Sequence, residues 1–122
     1  MYNTKLNRNQ KLFTSAQWQK LLANHAVNAD GQDTADCEPV VKLFDPMGAA
    51  TWLLTECDEN GMAFGLCDLG QGMPELGYVY VVEICEIWKN RILGIERDLH
   101  FKAKKTLSEY ADEANKNQRI TA

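Results

Sequence analysis

Two stretches of this chain hold residue types that could do chemistry. The first is Ile95–Lys102, Ile-Glu-Arg-Asp-Leu-His-Phe-Lys. Its alternation predicts a strand with Glu96, Asp98, His100 and Lys102 on one side and Ile95, Leu99 and Phe101 inside. Two carboxylates beside an imidazole are the ingredients of a metal site or an acid–base pair, with Asp98 and His100 as catalytic candidates. A solvated strand face laced with ion pairs would carry the same residues. The second stretch is Gly65–Tyr78, where four glycines and a proline interrupt an apolar run around Asp68 and Glu75. So many breakers predict a shaped loop, and Gly70 and Gly72 would let backbone approach a ligand closely. No helix opens after this G-x-G, because Met-Pro-Glu-Leu-Gly follows, so it does not read as a phosphate-binding loop.

Other chemistry has thinner support. The chain has no G-x-S-x-G elbow and no H-E-x-x-H pair. Of two histidines, His25 falls in a helical stretch and reads as a packing or surface residue. A Cys67/His100 dyad would need neighbouring strands. Cys37, Cys57, Cys67 and Cys85 include no C-x-x-C spacing, so no structural zinc site and no cofactor is expected. They read as free thiols, with Cys57 and Cys67 able to face each other across a hairpin.

The elements that must position these groups follow from periodicity and turn chemistry. Residues 1–13 read as a flexible start. Thr14 or Ser15 caps a helix carrying Trp18, Leu21 and Leu22 on one stripe, ending near Asn28. Residues 29–38 read as a loop. Strands are expected at residues 40–44, 50–57, 62–68 and 78–82, with an Asn60-Gly61 primed turn between the second and third. Trp52, Leu54, Phe64 and Leu66 are core candidates. Residues 83–90 fit a short helix with Ile84, Ile87 and Trp88 inward. Thr106-Leu107-Ser108-Glu109 is a capping box that opens a last helix to about Lys116, with residues 117–122 fraying. The expectation is one α+β domain over residues 14–116: a four- or five-stranded, mainly antiparallel sheet with three helices.

The chain's 122 residues and 45% hydrophobic content suit one globular domain. No apolar run nears the ~20 residues of a membrane span, and residues 1–10 lack a signal peptide's apolar core. The expected location is the cytoplasm. Residues 1–27 carry four Lys/Arg and no acid, residues 28–100 four against fourteen acids, and residues 101–122 five against three. A centre this acidic repels a phosphate backbone, which argues against direct nucleic-acid binding.

The strings VVKLF, TWLLTE, FGLCDLG, PELGYV and IERDLHF, followed by LSEYA, resemble an uncharacterised bacterial family, domain of unknown function 2958. The resemblance covers about residues 12–120. It implies a small single-domain protein carried on plasmids, phages and other mobile elements beside transfer or anti-restriction genes, and no activity, cofactor or catalytic residue. The sequence departs from the family pattern between Val81 and Gly94.

Three functional expectations result. The first is a non-enzymatic accessory protein that binds a host or mobile-element protein, its acidic face mimicking nucleic acid before a nuclease or defence complex. Asp58, Glu59, Asp68 and Glu75 would supply that face, with Tyr78 beside them. The second is a small metal-assisted or acid–base enzyme in which Asp68, Glu75, Asp98 and His100 converge. The third is a structural or regulatory subunit of a transfer apparatus, anchored by Tyr78, Tyr80 and Trp88.

Overall fold

The first helix begins where the sequence offers a reciprocal cap. Thr14 Oγ1 accepts the Gln17 backbone N–H at 3.0 Å, and Gln17 Oε1 accepts that of Thr14 at 2.9 Å. Phe13, just before the cap, stacks on Trp18 with ring centroids 5.7 Å apart. This hydrophobic staple sets the angle at which the chain enters the helix. Helix α1 then runs Ser15–Ala29. The computed structural model describes residues 12–29, 36–88 and 94–122, without the side chains of Ala29, Ile87 and Trp88. Leu12 and Phe13 are buried, so the domain starts two residues earlier than expected. The rest of the expected flexible start, and most of the 29–38 loop, lie outside the described residues.

The following elements are β1 (Val41–Phe44), β2 (Thr51–Cys57), β3 (Met62–Asp68), β4 (Glu75–Tyr80), α2 (Val81–Trp88), β5 (Glu96–Arg97) and α3 (Leu107–Asn117). The strands form one antiparallel sheet in the order β4-β3-β2-β1-β5, giving the expected α+β domain. β2 is central, and its apolar run Trp52-Leu53-Leu54 is buried on both faces. On one face Trp52, Leu54 and Val41 meet Trp18 and Leu21 of α1 and Val81 and Ile84 of α2. On the other, Leu53 and Leu66 meet Leu107, Tyr110 and Ala114 of α3. The sheet is therefore the middle of three layers.

The β2–β3 hairpin closes with a bulge rather than the expected primed turn. Only Gly61 takes a positive φ, 92°, while Asn60 does not. Asp58 explains this: its Oδ1 accepts the Asn60 and Met62 N–H groups at 2.8 and 2.9 Å, and its carbonyl accepts the Gly61 N–H at 3.1 Å. That is a type I turn followed by a left-handed glycine. The register places Cys57 opposite Ala63 and Cys67 opposite Trp52, so the two cysteines lie at opposite ends of the hairpin. A second irregularity shifts the register between Leu54 and Glu56. Gly65 sits across from it, and a Cβ there would lie 2.0 Å from the Leu53 carbonyl oxygen.

The glycine-rich stretch is mostly strand. Gly65–Asp68 ends β3 and Glu75–Tyr78 opens β4, so only residues 69–74 form the loop. Isolated glycines on a sheet read as breakers because sequence alone cannot show which neighbour needs the space. The expected 95–102 strand pairs over two residues only. The Asp98 carboxylate accepts the His100 N–H at 2.8 Å and the Phe101 N–H approaches the Asp98 carbonyl at 3.4 Å. This turn throws Leu99, expected inside, 73% into solvent. The expected capping box of α3 forms at Thr106 and Glu109.

Gly65→Ala should destabilise the fold by about 3 kcal/mol, because rigid backbone stands where the methyl must go. Gly77→Ala, at a site with no atom within 4 Å, should stay within about 0.5 kcal/mol. Urea unfolding of the two variants checks both.

Candidate functional site

The sequence-derived acids fall into different environments. Asp68 is 2% exposed, which corrects its expected place on an accessible acidic face. Its Oδ1 accepts the Gly70 N–H at 2.8 Å and its Oδ2 the Ile120 N–H at 2.9 Å. Both oxygens are thus committed to backbone, one closing the β3–β4 loop and one fastening the C-terminal tail. That tail does not fray as expected: Ile120 and Ala122 pack on the α3 cluster, Thr121 Oγ1 donates to Glu113 at 2.9 Å, and Lys42 Nζ donates to the Ala122 carbonyl. A glycine two residues after Asp68 was the only local hint of such an Asx-type closure. Asp58 is absorbed in its turn, while Glu59 and Glu75 are exposed.

The four residues of the expected enzyme site do not come together. Glu75 opens β4 and Asp98 follows β5, at opposite edges of the sheet. Four strand spacings separate them, roughly 19 Å. Asp98 Oδ2 lies 3.3 Å from Lys42 Nζ. Partial burial pushes the Asp98 carboxyl up, but the His100 backbone N–H and the Lys42 ammonium outweigh it and hold it below its ordinary value. His100 is exposed and reaches Asp98 through its backbone. A pocket of about 200 Å³ beside them is lined by Lys42, Phe44, Asp45, Thr51 and Asp98, and its cation already binds Asp98 and the tail. Cys67 lies on β3, three strand positions from β5, with β2 and β1 between them. Burial and then the Glu75 charge push its thiol up to about 11, far from a reactive thiolate. Among the described residues no group of three His, Cys, Asp or Glu side chains could hold a metal ion.

Sequence reasoning missed a buried polar cluster at the β2 bulge. Glu56 is 1% exposed. Its Oε1 accepts from Asn28 Nδ2 at 3.2 Å, and its Oε2 faces His25 Nδ1 at 3.9 Å. One turn earlier, Asn24 Nδ2 donates to the Thr55 carbonyl at 2.8 Å. Asn24 and Asn28, four apart on α1, were the available signal. They meet backbone and carboxylate groups that the bulge turns away from the ladder. This arrangement ties α1 to β2. Beside it, burial and then the Asp58 and Glu56 charges push the Cys57 thiol up to about 12.

The feature most open to a partner is β4. It is an edge strand, and Leu76, Tyr78 and Tyr80 share the face on which their register partners Leu66, Phe64 and Met62 lie. α3 covers Leu66 on that face, but Tyr78 remains 63% exposed, and Leu76 and Tyr80 are exposed too. Tyr78 packs its ring 4.9 Å from that of Phe64. Met73 and Leu69 in the adjoining loop are also exposed. The same segment is one-signed: residues 43–88 contain eight Asp or Glu and no Lys, Arg or His. Trp88, the third expected anchor, lies outside the described side chains.

A three-layer α+β domain with an open apolar edge is the class that fold and surface define. The family described as protein of unknown function DUF2958 matches residues 12–121, and the chain belongs to that family. No curated protein and no solved structure matches it. Among the described residues, no helix is long and apolar enough to cross a membrane.

Asp68→Ala should cost about 1–3 kcal/mol, because two backbone N–H groups lose their acceptor. Residues 118–122 should then become cleavable by carboxypeptidase, whereas Asp68→Asn, which keeps one acceptor, should protect them in part. At pH 8, Cys57 and Cys67 should resist iodoacetamide in the folded protein and react in 6 M urea; mass mapping of the alkylated sites reads this directly.

Proposed function

We propose that this protein is a non-enzymatic accessory protein of a bacterial mobile element that acts by binding another protein through β4. The observation that carries the reading is the β4 edge, unpaired among the described residues, with Leu76, Tyr78 and Tyr80 exposed in a row. Large amphipathic rings supply much contact area for little conformational entropy, and such residues dominate binding energy at interfaces. A contiguous apolar row on a small domain is a recognised mark of an interaction surface. The row also supports the reading as a subunit of a larger apparatus, since both need the same anchors.

The charge pattern narrows the partner. Eight acids without one basic residue over residues 43–88 favour a cationic surface and speed encounter with it. This is the part of the nucleic-acid-mimic idea that the geometry supports, with Glu75 exposed at the start of β4 and Glu83 exposed in the first turn of α2. Asp68 takes no part. A pure phosphate mimic would present rows of carboxylates, and here an apolar row stands between them. The partner in this reading is a protein with a basic rim around an apolar groove, such as a nuclease or a defence complex.

The test is affinity purification with the full chain from bacterial lysate, comparing wild type with Leu76→Arg, Tyr78→Arg. Circular dichroism verifies that the variant is folded. The co-purifying protein should fall at least about tenfold in the variant. Equal recovery with both proteins, or capture of nothing by either, would overturn the reading. A Glu75→Lys, Glu83→Lys variant should weaken recovery less and remove its dependence on salt.

A further inference from the structure

We infer that β4 receives an extended segment of its partner as a sixth strand, and that this segment alternates apolar residues and carries Lys or Arg. The inference rests on the reading of β4 as the binding surface and adds the mode and the partner's chemistry.

The hydrogen-bond phase of the sheet carries the first half. The Val81 N–H donates to the Gly61 carbonyl at 2.9 Å. Antiparallel ladders alternate, so every second residue of β4 turns its N–H and C=O towards β3. Counting back from Val81, those are Val79, Gly77 and Glu75. The intervening residues, Leu76, Tyr78 and Tyr80, turn theirs away from the sheet. The close Phe64–Tyr78 ring pair fits the same phase, because non-hydrogen-bonded pairs bring side chains nearer. Among the described residues no strand lies outside β4. Its outer edge therefore offers the N–H groups of Leu76, Tyr78 and Tyr80 and the C=O groups of Leu76 and Tyr78, on the residues whose side chains make the apolar row; the Tyr80 C=O belongs to the first turn of α2.

Exposed edges are usually blunted by a lysine, a proline, a bulge or an inward charge. β4 has no lysine, proline or bulge, and its one charge, Glu75, stands at its first position, outside the apolar row. Its sequence is Glu-Leu-Gly-Tyr-Val-Tyr, and its register with β3 runs without a shift from Met62–Tyr80 to Cys67–Glu75. An edge left open over six residues is a template for strand addition.

Charge carries the second half. A second copy of this chain would bring two acidic 43–88 segments together across the new ladder. A Lys- or Arg-bearing strand meets the field favourably instead. Residues of that strand on the α3 side would sit beside Leu76, Tyr78 and Tyr80, where cross-strand partners are best apolar or aromatic.

The test selects random 12-residue peptides, displayed on phage, against the full chain. Expected sequences alternate apolar residues, contain Lys or Arg, and lack proline. Affinity of a synthetic selected peptide is then measured for wild type, Tyr78→Ala and Tyr78→Pro. The alanine removes the ring; the proline also removes an N–H that points away from β3, so the β3–β4 ladder is spared. Tyr78→Ala should weaken binding roughly tenfold, and Tyr78→Pro a further threefold to tenfold. Amide exchange by NMR gives a readout that side-chain docking would not move. With wild type and bound peptide, the Leu76, Tyr78 and Tyr80 amides should slow at least about tenfold, while Gly77 and Val79 change little. This measurement decides the matter alone if Tyr78→Pro proves unfolded. Binding lost in Tyr78→Ala without slowing of those three amides overturns strand addition while leaving the β4 surface intact as the binding site. Selection of acidic or proline-rich peptides, or of none, overturns the inference. So does self-association that uses β4, seen by sedimentation of wild type and removed by Tyr78→Pro.

Discussion

The close approach of two backbones at Gly65 is the constraint on which the rest of this domain depends. A methyl group there would stand 2.0 Å from the Leu53 carbonyl oxygen. Only a glycine lets β3 come up against β2 where the register shifts between Leu54 and Glu56. The bulge then turns the Thr55 carbonyl and the Glu56 carboxylate towards α1, where Asn24 and Asn28 accept the task of bonding them. Helix α1 is held to the sheet by polar contacts at one end and by Trp18 and Leu21 along its apolar stripe. Gly65 also pairs with Gly77, but the space at Gly77 is open, so the requirement for glycine lies on the β2 side alone.

The carboxylates show how a fold absorbs groups that look chemical. Asp68 bonds two backbone N–H groups from distant segments and fastens the chain end against the α3 face. Asp58 shapes a turn, and Asp98 ejects Leu99 by forming another. Each carboxylate satisfies N–H groups that would otherwise lack a partner, which is a common use of Asp beside tight turns. What they leave exposed, among the described residues, is the apolar row at the sheet's edge with one-signed charge around it.

Much of the layout was legible locally. The capping box at Thr106, the strand limits of β3 and the hairpin at Asp58–Gly61 depend on residues within a few positions of one another. Tyr78 falls in an alternating run, and the structure leaves it exposed on β4. The stretch at 65–78 misled because a glycine needed for a cross-strand approach looks the same as a glycine needed for a turn. The alternation at 95–102 misled because Asp98 had an Asx-turn available that competes with strand pairing.

The sequence by itself determined the element types, the antiparallel α+β class, the acidic centre and the caps, because those rest on periodicity, composition and short-range hydrogen bonds. Only the tertiary structure decided which carboxylates are buried, which glycine is required and which strand is left at the edge. Asp68 is committed by an N–H 52 positions away, Glu56 by side chains 28 and more positions back, and Gly65 by the β2 backbone. Strand order, too, is set by how the two faces are covered: among the described residues, α1 and α2 on one side and α3 on the other bury β2 from Trp52 to Cys57 and leave Leu76, Tyr78 and Tyr80 of β4 exposed. Such outcomes depend on contacts between distant segments, and no local pattern encodes them.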